Sequence, residues 1–220
     1  MIVAIDFGIT NTDVALFNKS QYKFFSMPSK NANESFIDEI ISLIDIDITE
    51  ISQIVVTGGK SNELDESYKG VNLTKISETD AIGYGTKEIY KIENDPFITL
   101  SCGTGTACIY HQDGQFSYVG GIAVGGGTIS GLSKAILNSC SIEEVTDLAL
   151  KGNRKNIDLL IGDVVNEIGI LNSNVTASNF AKLKDSNIFS REDMSHAILN
   201  MVGEIIGTIG YLNAGLFGIN

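Results

Sequence analysis

The first eighteen residues set the strongest limit on what this chain can fold into. An apolar run, Ile2-Val3-Ala4-Ile5, leads into Asp6-Phe7-Gly8-Ile9-Thr10-Asn11-Thr12-Asp13, and a second apolar run, Val14-Ala15-Leu16-Phe17, follows at once. Turn-forming residues between two strand-like runs predict a tight connection between adjacent strands. Dinucleotide fingerprints and Walker loops pass from strand through glycine loop into helix. This segment returns to a strand instead, which excludes both. A second glycine-rich stretch, Gly120-Gly121-Ile122-Ala123-Val124-Gly125-Gly126-Gly127-Thr128, lies in the middle of the chain and leads into residues of helical period.

Composition narrows the ligands such loops could serve. With 220 residues, 43% of them hydrophobic, the chain can bury a core as one large domain or two small lobes. A net charge of -12 argues against nucleic acid or an anionic membrane as partner, because both attract clustered Lys and Arg. An anionic ligand would then be held by backbone N–H groups, helix N-termini or a metal ion. Cys102, Cys108 and Cys140 are odd in number and lack metal-ligand spacing, and His111 and His196 are the only histidines. They read as buried thiols in a cytoplasmic protein, since the N-terminus begins in a strand with no basic leader and apolar signal core. The segment from Ala197 to Asn220 carries one charge, Glu204, over a length that could span a bilayer. Its glycines, with Asn200 and Asn213, make it read as a buried, closely packed helix.

Strands are expected over 2–6, 12–17 and 22–27, then a helix capped by Asn33 or Ser35 with Phe36, Ile37, Ile40, Ile41 and Leu43 at helical spacing. A strand from Gln53 to Val56 and a helix opened by Ser77-Glu78-Thr79-Asp80 complete a first half. The second half opens with a strand from Phe97 to Leu100, the turn Gly103-Thr104-Gly105-Thr106, and a hairpin of Ala107–Tyr110 and Phe116–Val119 across Gln112-Asp113-Gly114. Helices are expected over Thr128–Leu137, Ile142–Ala149, Asn156–Glu167, Ala177–Leu183 and the final segment. A strand, small-residue turn, strand unit thus occurs in each half, the pattern of two similar lobes, 1–92 and 93–220, around a nucleotide cleft.

Phosphate chemistry fits these loops. Asp6, at the end of the first strand, could orient Mg²⁺ through water, because magnesium takes one or two carboxylates and keeps much of its hydration. Gly8, Thr10 and Asn11 would offer donors to phosphate; equally, Asp and Asn favour such turns for local reasons alone. The backbone and hydroxyls of Gly103-Thr104-Gly105-Thr106 could approach a phosphate, although a plain hairpin turn fits almost as well. Gly125-Gly126-Gly127-Thr128-Ile129-Ser130-Gly131 is more specific, since glycines running directly into a helix expose N-terminal amides and the positive dipole end. Glu78 is the candidate base for proton removal from an acceptor hydroxyl, although a Glu in a first helical turn is also favoured by the macrodipole.

In their order, these segments resemble the type II pantothenate kinases, within the superfamily of sugar kinases, chaperone ATPases and actin. The resemblance is carried by the first loop, Val56-Thr57-Gly58-Gly59, Glu78-Thr79-Asp80-Ala81, Gly103-Thr104-Gly105-Thr106, Val119-Gly120-Gly121 through Gly131-Leu132, Gly152-Asn153-Arg154 and Thr176-Ala177-Ser178-Asn179-Phe180. It implies an α/β, actin-like (ribonuclease H-like) ATPase fold and a homodimeric enzyme that phosphorylates pantothenate with ATP in the first step of coenzyme A synthesis. By that resemblance Glu78 matches the general base. Asp6, Phe7, Gly8, Ile9, Thr10, Asn11, Thr12, Asp13, Thr104, Gly126, Gly127, Thr128, Ile129, Ser130 and Ile142 match ATP contacts. The chain departs from the family where Ile9 and Asp13 replace glycine and lysine, and where Ser117-Tyr118 replaces a substrate-holding arginine, which places Tyr118 at the acceptor. It also stops at Asn220, before the last strand and helix the family would have. A same-fold kinase or ATPase with another acceptor, such as an N-acetylhexosamine, and an inactive paralogue that only binds or dimerises are the alternatives.

Overall fold

A computed structural model describes residues 1–93, 96–138, 141–165, 172–184 and 189–219. The chain divides into two compact units, Met1–Asp95 with Tyr110–Ser117, and Pro96–Ile109 with Tyr118–Asn220. The hairpin tip Tyr110–Ser117 groups with the first unit.

The first unit is built on β1 (Ile2–Phe7), β2 (Asn11–Asn18), β3 (Gln21–Pro28), α1 (Glu34–Leu43), β4 (Gln53–Thr57), β5 (Ser67–Tyr68), β6 (Val71–Lys75) and α2 (Glu78–Tyr90). The strands form one mixed sheet in the order β3-β2-β1-β4-β6-β5. The three-strand meander is antiparallel, whereas β4 runs parallel to β1 and β6 parallel to β4. Side-chain alternation assigns the faces. Val3, Ile5, Phe7, Val14, Leu16, Ile54 and Val56 are buried with Phe36, Ile37 and Ile40 of α1. Asn33 caps that helix by accepting from the Phe36 N–H at 2.9 Å. On the opposite face the strands show Asp6, Asp13, Ala4, Ala15, Phe24, Ser26, Val55 and Thr57, which with Ile76 and Ala81 line a cavity of about 580 Å³.

The hairpin expected across Asp113-Gly114 forms between β8 (Thr106–Gln112) and β9 (Gln115–Ile122), with β7 (Phe97–Cys102) alongside β8. Both turn residues have positive φ, 52° and 76°, as a type I′ turn requires. Phe116 at its tip packs against Tyr84 of α2, with ring centroids 4.8 Å apart.

In the second unit, α3 (Gly126–Leu137) and α4 (Ile142–Ala149) pack on the long α6 (Arg191–Leu216). Leu137, Ile157, Met194, Ala197 and Ile198 form the core. The helix expected over Asn156–Glu167 is not found: Arg154–Asn156 is a 3-10 turn, Leu159–Leu160 is a short strand (β10), and α5 covers only Ile161–Val164. Thr176–Ser178 is likewise a strand (β11) rather than the start of a helix, and it pairs with β10. Tertiary pairing overrides the helical period here. Asp158, fully buried, accepts the Phe180 N–H at 2.9 Å and so ties the two segments together. The end of the expected 156–167 helix lies outside the described residues.

The expected burial of the final helix holds only for its first half. Met194, Ser195, Ala197, Ile198 and Val202 are buried, whereas Tyr211, Leu212 and Leu216 are exposed. The start of α6 is fixed by Asp193, whose carboxylate accepts the Asn153 N–H at 2.7 Å and the Asn156 amide at 2.8 Å. The Gly152-Asn153-Arg154 segment therefore serves as an anchor for α6. Cys108 is buried as expected, but Cys102 is exposed at the end of β7, and Cys140 lies outside the described residues.

Candidate active site

The first unit brings a line of polar groups together at the carboxyl end of β1. Asp6 is the direct cross-strand partner of Asp13 on β2 and the parallel neighbour of Thr57 on β4, while Asp13 faces Ser26 on β3. Strand register alone therefore places two carboxylates side by side, an arrangement that is destabilising without a counter-charge. Partial desolvation, the Glu78 charge and the Asp13 charge together push the Asp6 carboxyl above the usual range. Beside it, the Thr57 hydroxyl oxygen is hidden from solvent and has no hydrogen-bond partner among the described residues. Gly58, with φ of +73°, leaves space for the Asp6 carboxylate: a Cβ there would stand 2.3 Å from Oδ1. Thr57 and Gly58 belong to this corner, although on sequence they entered only through the Val56-Thr57-Gly58-Gly59 resemblance.

The loop residues divide by access. Ile9, Thr10 and Asn11 are exposed, and Gly8 is partly so. Phe7 is a core residue against Phe36, and Thr12 is fully buried with its hydroxyl 2.9 Å from that of Ser29. The side chains of Phe7 and Thr12 thus shape the loop from below, leaving only their backbone for a ligand.

Glu78 is the first residue of α2 and is exposed. The helix is capped without it. The Ser77 hydroxyl accepts the Asp80 N–H at 3.1 Å and donates to Asp80 Oδ2 at 2.7 Å, so Ser77 caps the helix with Asp80 through side-chain bonds rather than through the reciprocal backbone bond of the expected capping box. Among the described residues Glu78 makes no hydrogen bond or ion pair.

In the second unit the two glycine segments are zipped to each other. The Gly126 N–H donates to Gly103 O at 2.8 Å, the Gly127 N–H to Thr104 O at 3.0 Å, and the Gly103 N–H to Gly105 O at 2.8 Å. A Cβ on Gly125 would lie 2.8 Å from the carbonyl oxygens of both Gly103 and Gly105. These glycines permit backbone to pack on backbone, and the Gly126 and Gly127 amides are already satisfied, contrary to the expectation that they stand free for phosphate. Thr106 is buried with its hydroxyl donating to Val124 O at 2.8 Å, and Thr128 Oγ1 accepts from the Gly125 N–H at 3.2 Å. What α3 still presents is its positive dipole end, with Ile129 and Ser130 in its first turns. Ile142 begins α4 after the cap Ser141, and Tyr118 is exposed on β9.

Among the described residues no three His, Cys, Asp or Glu side chains converge as a metal site. The Asp6 corner nevertheless fits a cation whose remaining ligands are water and phosphate oxygens, because it offers carboxylates and an unpartnered hydroxyl.

A meander followed by parallel crossovers, with an acidic residue at the end of β1, is the arrangement of the actin-like fold. Over the whole chain the fold is similar to the activator of the 2-hydroxyisocaproyl-CoA dehydratase from Clostridium difficile with bound ADPNP, at a TM-score of 0.62, 16% identity and 76% of that chain covered. Residues 59–220 match the Fumble family. The chain is 36% identical over 93% of its length to a type II pantothenate kinase of Bacillus anthracis, 74% of which it covers. It is 33% identical over 73% of its length to pantothenate kinase 1 of Arabidopsis thaliana, 46% of which it covers. The chain belongs to the type II pantothenate kinase family.

Proposed function

We propose that this protein transfers the γ-phosphoryl group of ATP to the primary hydroxyl of pantothenate, with Glu78 as the general base. The observation that carries this reading is the placement of Glu78. It heads α2 uncommitted, because Ser77 and Asp80 cap the helix between them. A carboxylate so placed can accept the proton of an attacking hydroxyl. Phosphoryl transfer otherwise depends on positioning and on stabilising the charge spread over the phosphoryl oxygens. In the first unit the exposed part of the Gly8–Asn11 loop would hold phosphate oxygens. In the second, the dipole of α3, Thr104 and the 128–130 turn would contribute, with Ile142 beside the nucleotide. Tyr118 would meet the acceptor, its hydroxyl offering a hydrogen bond where an arginine would offer charge. Mg²⁺, held by Asp6 through water, would supply neutralisation of the phosphate charge. The enzyme is proposed to act in the cytoplasm as a homodimer.

The test is ADP release from Mg-ATP with pantothenate, beside N-acetylglucosamine and N-acetylmannosamine. Pantothenate is expected to drive turnover, and Glu78→Gln to reduce kcat about 10²–10⁴-fold with the protein still folded. Turnover indifferent to Glu78→Gln would remove the base from the mechanism. A sugar preferred over pantothenate would replace the acceptor.

A further inference from the structure

The corner at the carboxyl end of β1 carries more negative charge than one carboxylate for a hydrated cation would require. Ser26, Asp13, Asp6 and Thr57 are successive neighbours across β3, β2, β1 and β4, so their side chains share one face of the sheet. All four line the same cavity. Neither Asp6 nor Asp13 has a Lys or Arg ion-pair partner among the described residues. The Thr57 hydroxyl at the end of the row is concealed and unpartnered. Facing carboxylates cost stability in a sheet, and an orphaned hydroxyl adds to that cost, so the apo arrangement is poor for folding. A divalent cation lying against the two carboxylates would offset the repulsion between them.

We propose that Asp13 completes, with Asp6, a two-carboxylate seat for the divalent cation of the nucleotide, so that ATP enters this loop only as its metal complex. The proposal rests on the kinase reading and concerns how that site obtains its positive charge. Magnesium and manganese accept two carboxylates together with water and phosphate oxygens, and among the described residues no third acidic or imidazole side chain joins these two to hold a cation tightly without phosphate. Free ATP meets two like charges at this loop and is repelled. The metal complex is attracted by the same two groups. Asp13 thereby converts a loop that rejects phosphate into one that selects metal-bound phosphate.

Equilibrium binding of ATP to the full chain, measured by calorimetry with Mn²⁺ and again in excess EDTA, tests this without relying on turnover. The paramagnetic resonance of bound Mn²⁺ reports the ligand field in the same complexes. The wild-type protein is expected to bind Mn²⁺–ATP about 100-fold more tightly than ATP in EDTA, and Asp13→Asn to weaken Mn²⁺–ATP binding about tenfold with an altered Mn²⁺ signal. Asp13→Lys is expected to bind ATP in EDTA at least as well as the wild type binds it there, and to lose most of the dependence on metal. Circular dichroism establishes that each variant is folded. Mn²⁺–ATP affinity and Mn²⁺ signal unchanged by Asp13→Asn, or wild-type binding indifferent to EDTA, would overturn the seat and leave the kinase reading intact. No ATP binding in either condition would overturn both.

Discussion

In the first unit the glycine loop ends in two facing carboxylates and an unpartnered hydroxyl, with Ile9 and Asn11 exposed on its outer side. In the second unit Gly125, Gly126 and Gly127 are drawn onto the carbonyls of Gly103, Thr104 and Gly105, and most of the backbone donors there are consumed. Both stretches read alike as glycine-rich phosphate loops. One keeps unfavourable charge at a surface where a ligand can relieve it; the other uses its glycines to lock two turns together behind a helix dipole. Glycine content alone therefore does not separate a binding surface from the scaffold beneath it. The acidic, unsatisfied character of the first loop is the better pointer to ligand, because strain without structural benefit is retained for function.

The sharpest way to break this contrast is to put a methyl group where the second loop is zipped. Gly125→Ala would bring a Cβ within 2.8 Å of two carbonyl oxygens and 2.9 Å of the Gly105 carbonyl carbon, all backbone atoms with little freedom to yield. A loss of about 3 kcal/mol is expected in denaturant unfolding. Gly131→Ala, inside α3 and facing open space, is expected to stabilise by up to about 1 kcal/mol through helix propensity. Equal small effects at both positions would mean that the zipper is not what holds the loop.

Much of the fold was legible from pattern. The three-strand meander, the Asn33 cap, the Ser77 helix start and the Asp113-Gly114 turn all follow from local chemistry, and the structure forms them where that chemistry places them. What local pattern misses is governed by partners distant in sequence. Leu159–Leu160 has helical neighbours, yet it pairs with Thr176–Ser178, and the Phe180 N–H donated to Asp158 ties the two segments together. Tyr211, Leu212 and Leu216 share the apolar character of Met194 and Ile198, but α6 runs past the core that covers its first half. At the site, Glu78 and Asp6 could be picked out as bare carboxylates at element ends. Thr57 was not singled out as a site residue, since only the β1–β4 register brings its hydroxyl beside Asp6.

Two single carboxylates extend the comparison, because the ionisation of Asp193 in the second unit and of Asp6 in the first shifts in opposite directions. Burial alone would push Asp193 up, but hydrogen bonds from Asn156, the Asn153 N–H and Ser190, with the His196 charge, outweigh it and hold the carboxyl below the usual range. A group held down in the folded state stabilises the fold above its unfolded pKa, and that contribution fades as pH falls through the folded value. Asp193→Ala is accordingly expected to cost about 1.5–2 kcal/mol at pH 7, since it also leaves the Asn153 N–H without its partner. The difference from wild type should shrink below about pH 4, as the native carboxylate is protonated in turn. Thermal melts of both proteins between pH 7 and pH 3 measure this.

Asp6 supplies the opposite sign and the smallest effect. Its carboxyl is held above the usual range by desolvation, Glu78 and Asp13, so at neutral pH its ionised form opposes folding, and acidification toward its unfolded pKa relieves the cost. Removing the facing charge with Asp13→Asn is therefore expected to stabilise the nucleotide-free protein by about 0.5–1 kcal/mol at pH 7, the scale of one cross-strand pair. That gain should fade as pH falls through the raised Asp6 value, because Asp6 is then protonated and no longer faces Asp13 as a like charge. A salt titration gives the matching control: screening by 1 M NaCl should remove part of the same gain, because both carboxylates are accessible to solvent ions. If Asp13→Asn instead lowers the melting temperature at neutral pH, the Asp6–Asp13 pair is not a strained surface awaiting a cation. The first loop would then be as self-sufficient as the second.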